Sequence, residues 1–80
     1  MHQKLENLRK RIDKIDKRLQ EMLDKREKLT KKIGAIKKKH NLKIEDKKRE
    51  KKILSGIKNP STKKIFKEII ANSKKIQSKL

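Results

Sequence analysis

The first residue in this sequence whose type and place could do chemistry is an arginine set in an apolar stripe. Leu5, Leu8, Ile12, Ile15, Leu19, Met22, Leu29, Ile33 and Ile36 recur in alternating steps of three and four, the a/d pattern of a long helix. Counting by sevens from Leu5 through Ile12 and Leu19 arrives at Arg26 before the series resumes at Ile33. A guanidinium placed where a helix buries its apolar face is costly unless an anion meets it. Arg49 and Glu50 make a similar exception, one turn before the apolar Ile53 and Leu54. Ser73 and Gln77, four apart and so stacked on one helix face, fill slots in the stripe of Ile65, Phe66, Ile69, Ile70, Ile76 and Leu80. Lys37 lies 11 residues beyond Arg26, within about 20° around the helix and roughly 17 Å along it. Cations, one carboxylate and two neutral hydrogen-bonding groups around one pocket suit a small polyanionic organic ligand that carries carboxylates and a hydroxyl. The competing reading of each is a side chain that snorkels from a thin bundle.

Three helices must position this set, which makes the fold all-α, one long helix and two short ones. Helix 1 is expected over about 5–39, in a run rich in Lys, Leu, Glu and Arg, after a polar lead-in from Met1 to Lys4. Gly34 inside it costs about 1 kcal/mol relative to alanine, so either a backbone or ligand approaches closely there or the glycine is simple drift. The stretch 40–45 loses the seven-residue rhythm and reads as a loop, with Asn41 as the terminator. Asp46 then caps helix 2 over about 47–55, with Gly56 near its end, and Ile53, Leu54 and Ile57 face inward. Asn59 caps helix 3, Pro60 takes its first position, and the helix runs over about 60–79.

Composition narrows the classes. A chain of 80 residues with 30% hydrophobic content and one aromatic, Phe66, is one domain over 1–80 at most and buries a thin core. The stretch from Leu5 to His40, 36 residues, would span about 54 Å as one helix, more than the roughly 30 Å of a compact globule of this size, so its seam needs another chain. The absence of cysteine excludes disulfide and thiolate chemistry, and His2 and His40 have no ligand cluster near them, so no metal is expected. No apolar run suits a membrane span or a secretory signal, so the expected location is cytoplasmic. The net charge of +18 invites a polyanion, but basic and acidic residues number 15 and 6 in positions 1–40 and 13 and 4 in 41–80, so there is no basic tail. Nucleic acid is disfavoured further by the lack of aromatic stacking platforms.

The residues also carry a resemblance. The run from Leu8 to Asp16, then Arg26, then Ile33-Gly34-Ala35-Ile36-Lys37, Asp46-Lys47-Lys48-Arg49-Glu50 and Ile69 to Gln77 resembles the all-helical chorismate mutases, in order and over nearly the whole chain. The resemblance implies an intertwined homodimeric helical bundle with two sites shared between chains. It implies that Arg26, Lys37, Asp46, Arg49, Glu50, Ser73 and Gln77 line one site and that Arg9 enters from the partner. Spacing agrees, because Arg9 and Arg26 are 17 residues apart, about 26 Å along one helix, too far for one small ligand to touch both readily.

By that resemblance the substrate is chorismate, rearranged to prephenate in the biosynthesis of phenylalanine and tyrosine, without cofactor or metal. Arg9 and Arg26 would pair with its two carboxylates, and Lys37 and Gln77 would donate to the ether oxygen. Glu50 would take the ring hydroxyl, Ser73 would assist a carboxylate, and Asp46 and Arg49 would orient the site and its loop. The turn before helix 3 is shorter than in many relatives and the lysine content higher. With no regulatory domain in the sequence, a monofunctional enzyme without feedback control is expected. The alternatives are an isochorismate pyruvate lyase on the same fold and a basic helical nucleic-acid-binding module.

Overall fold

A computed structural model describes residues 2–80; Met1, part of the expected lead-in, lies outside the described residues. The described chain is all-helical: α1 runs Gln3–Lys39, α2 Lys47–Ser55 and α3 Pro60–Ser78. Gln3 and Lys4 are already helical, so α1 begins two residues before its apolar pattern does. That difference follows from composition, since both residues are competent helix formers and need no packed partner in the first turn. Helix α3 ends one residue earlier than its pattern suggests.

Each helix ends where local chemistry stops it. Asn41 adopts φ 53°, a left-handed conformation that asparagine tolerates better than most residues, and Leu42 N–H returns to the Lys37 carbonyl at 2.8 Å. The Asp46 carboxylate accepts from Arg49 N–H at 3.0 Å, satisfying one of the open donors at the start of α2. The Asn59 side chain does the same for Ser61 N–H at 2.9 Å, with Pro60 in the first turn of α3 where its missing N–H costs nothing.

Helix α3 packs along the C-terminal half of α1, and α2 rests on α3. The contact face of α1 is not its apolar seam. The buried residues of α1 are Thr30 and Gly34, whereas Leu29, Ile33 and Ile36 are 59, 45 and 56% exposed. Small residues win this face because they let α3 come close. A Cβ built on Gly34 would stand 2.5 Å from Leu80 Cδ1, 3.1 Å from Gln77 Cγ and 3.2 Å from Gln77 Cα. Close approach of another backbone is therefore the reason for the mid-helix glycine.

Ile70 is the buried apolar residue of α3, with Phe66, Ile69 and Ile76 half-buried around it. So slight a core leaves the molecule elongated, 59 × 24 × 15 Å, with a radius of gyration of 16.6 Å against about 12 Å for a compact chain of this length. Among the described residues nothing covers the N-terminal half of α1. Leu5, Leu8, Ile12, Ile15, Leu19 and Met22 all stand exposed along it.

Candidate active site

Where α1 and α3 lie side by side and α2 closes one end, they enclose a cleft of about 330 Å³. Its walls carry every polar exception of the sequence stripes. Arg26 and Lys37 come from α1, Asp46 from the cap of α2, Arg49 and Glu50 from its first turn, and Ser73 and Gln77 from α3. Apolar side chains of Leu29, Ile33, Ile44, Ile53 and Ile70 fill the spaces between them. Polar groups few in number, set among aliphatic walls, are what a small organic ligand needs for both desolvation and orientation.

Arg26 is held by Ser73, whose hydroxyl accepts a hydrogen bond from the guanidinium Nη1. The same hydroxyl spends its proton on the Ile69 carbonyl at 2.9 Å, one turn back on α3. Ser73 thus acts here as an acceptor, and it aims an arginine that still has free donors. Thr30, one turn after Arg26, donates from its hydroxyl to the Arg26 carbonyl at 2.8 Å and lines the cleft. Lys37 donates to the Ile44 carbonyl at 2.8 Å, which ties the 40–45 loop down over the site while leaving the ammonium two further protons.

Two polar atoms in this cleft are buried without a partner among the described residues: Glu50 Oε2 and Gln77 Oε1. Leaving such groups unmade costs about 1 to 3 kcal/mol each, so both point to something the cleft binds. Turning the Gln77 amide about its last torsion exchanges its oxygen for its NH₂, so this position can present a donor as readily as an acceptor. The other Glu50 oxygen accepts from Lys74 Nζ at 3.2 Å, and Glu45 Oε1 lies 3.7 Å from the same ammonium. That hydrogen bond and the two carboxylate charges raise the Lys74 pKa above its ordinary 10.5, against a smaller opposing effect of burial.

Arg9 is not in the cleft. It stands exposed on the first third of α1, paired with Glu6 at 3.3 Å, and α1 carries it away from the site of its own chain. Lys74, Thr30 and Ile44 line the cleft without having stood out in the sequence. Lys74 does follow Ile70 by four, and Thr30 follows Arg26 by four, which is the spacing of a shared helix face.

A cationic cleft with an orphan carboxylate oxygen, on three helices in this order, has a counterpart among known proteins. The model of the family described as chorismate mutase type II matches residues 8–78. This chain belongs to that family. Among solved structures, a conserved hypothetical protein from Pyrococcus furiosus is 43% identical and superimposes with a TM-score of 0.86, over 94% of this chain and 96% of its own. No curated protein matches. The matched span takes in the whole cleft and Arg9 as well. In this type II chorismate mutase family member, no helix among the described residues is long and apolar enough to cross a membrane. No cluster of His, Cys, Asp or Glu among them could hold a metal ion.

Proposed function

We propose that the protein is a chorismate mutase that works as an intertwined homodimer and converts chorismate to prephenate. The observation that carries this reading is the pairing, in one cleft, of Arg26, Lys37 and Arg49 with the unpartnered Glu50 and Gln77 oxygens, in a chain of this family. Chorismate is a small dianion with a ring hydroxyl, so it asks for two cationic anchors, one acceptor for the hydroxyl and a donor at its ether oxygen. The cleft volume of about 330 Å³ lies at the low end for small-molecule sites, which suits a ligand of this size.

The reaction breaks the ether C–O bond as a C–C bond forms between the side-chain methylene and the ring, within one molecule. No proton, nucleophile or electron acceptor is required, so the protein contributes geometry and charge. Arg26, steadied by Ser73, takes one carboxylate by its planar fork. Arg9 of the second chain takes the other, brought in by an antiparallel α1 whose exposed seam meets its counterpart. Glu50 accepts from the ring hydroxyl and so favours the diaxial conformer. Lys37 and Gln77 donate to the ether oxygen as negative charge builds on it, and such charge-matched donors are worth most at the transition state. Asp46 holds α2 by its cap, and Arg49 lines the mouth of the cleft.

The test is to follow loss of chorismate and appearance of prephenate on addition of the pure protein, with isochorismate as a parallel substrate to detect a lyase. Arg26→Ala should lower kcat/KM by about 10² to 10³ while circular dichroism stays helical. Full activity in that variant overturns the site assignment, and release of pyruvate from isochorismate alone overturns the reaction.

A further inference from the structure

Lys74 belongs to none of the roles above, yet among the described residues it is the cation paired with the Glu50 carboxylate of the cleft. Its ammonium lies 3.2 Å from Glu50 Oε1 and 3.7 Å from Glu45 Oε1, joining α3, α2 and the loop before α2. The Glu50 side chain is 24% exposed and its second oxygen is buried and unpartnered, so one oxygen is occupied on the α3 side while the other is left free. This division has two physical effects. A carboxylate held at one oxygen by a charge-assisted bond loses its freedom to rotate, and the remaining oxygen has a fixed lone-pair direction. A bare carboxylate would also repel a dianion arriving within a few ångströms, and the adjacent ammonium cancels that repulsion.

We propose that Lys74 is a positioning residue for Glu50: it engages Oε1, aims Oε2 at the hydroxyl of the bound substrate, and neutralises a carboxylate that would otherwise face a dianion. The inference rests on the assignment of Glu50 to the substrate hydroxyl. Lys74 itself touches no reacting atom. Glu45 is the outer support of the arrangement, keeping the ammonium between two acids.

Steady-state kinetics of Lys74→Met, Lys74→Arg, Glu50→Gln and the Lys74→Met/Glu50→Gln double variant test it, with thermal unfolding followed in parallel. Lys74→Met should lower kcat/KM on the order of tenfold, the worth of one charge-assisted hydrogen bond, chiefly through KM, with the melting temperature little changed. Lys74→Arg should recover most of the loss. In the Glu50→Gln background, Lys74→Met should cost nothing further, because its only route to the substrate is through that carboxylate.

An undiminished loss in the Glu50→Gln background overturns the proposal, since Lys74 would then act on the substrate directly or through the general field. A loss that tracks only a lowered melting temperature, unrescued by arginine, overturns it as well, reducing Lys74 to a strut between α2 and α3. A large cost for Glu50→Gln with none for Lys74→Met overturns the proposal and leaves the site reading standing. Absence of turnover in the unaltered protein removes the site reading and the proposal together.

Discussion

Gly34 and Gln77 meet at close range, with 3.2 Å between the position of a Cβ on Gly34 and the Gln77 Cα, tighter than most contacts a Cβ makes. Backbone approach at this point brings Gln77, a residue of the cleft wall, close against α1, and the mid-helix glycine makes room for it. Gly34→Ala would ordinarily stabilise an exposed helix by about 1 kcal/mol, but here the new Cβ displaces Leu80 and presses on the Gln77 backbone, which has to give by a few tenths of an ångström. Leu80 can swing aside; the Gln77 backbone cannot without moving the helix. The variant should remain helical and lose about tenfold or more in kcat, as misplaced groups do. Wild-type kinetics in Gly34→Ala would show that α3 yields without disturbing the site.

A neutral amide at position 77 needs no proton to donate. Gln77→Ala should therefore reduce kcat by about 10²-fold at every pH. Gln77→Glu should be active only while the new carboxyl is protonated, so its rate should fall as pH rises through a pKa that burial lifts above the ordinary carboxylate range. The measurement is kcat/KM against pH for the unaltered protein and Gln77→Glu side by side. Parallel profiles would exclude position 77 from the donor role.

Arg9 and Arg26 sit on one helix but, in the proposed dimer, serve different sites. Arg9→Ala and Arg26→Ala should each abolish most turnover as pure dimers. Unfolded and refolded together, the two variants should regain activity, because a mixed dimer has one site carrying both lesions and one carrying neither. About one quarter of the sites in a statistical equimolar mixture are then intact. A mixture as inactive as its components would mean that Arg9 and Arg26 of one chain serve the same site, or that neither serves it.

Lys74 gives a signature at the alkaline end. Its folded-state pKa is raised by the hydrogen bond to Glu50 and by the charges of Glu50 and Glu45, so the folded protein retains this proton more tightly than the unfolded chain. The stabilisation is fully present below the unfolded value of 10.5 and is lost as pH climbs through the higher folded value. Urea unfolding at about pH 9 and about pH 12 should show the unaltered protein with a small advantage over Lys74→Met, too slight to move the melting temperature much, that is lost between the two. An advantage that is unchanged at both pH values would mean the ion pair contributes nothing measurable.

Much of this was legible in the order of residues, for reasons that separate the readable from the hidden. Arg26, Ser73 and Gln77 interrupt apolar stripes, and a polar residue on a buried stripe stands out by its cost. Asp46, Asn59 and Pro60 announce helix starts because capping chemistry is local. Lys74 did not stand out, as one of 23 lysines in a chain where nearly every solvated face carries them. The role of Thr30 was equally hidden, because hydropathy marks large apolar residues and the α1–α3 contact is made by small ones; Gly34 was legible only because a mid-helix glycine has a cost. The seam of leucines and isoleucines reads as a face that needs another chain, and among the described residues α1 packs through the neighbouring face and leaves that seam outside.

That uncovered seam links catalysis to abundance. If a complete site requires Arg9 from a second chain, each molecule is by itself half of two unfinished sites, and turnover per milligram is not a constant of the protein. It should be flat at high concentration, then fall with the square of concentration in total rate once dilution passes the dimer dissociation constant. The organism that carries this gene would then set its flux partly by expression level.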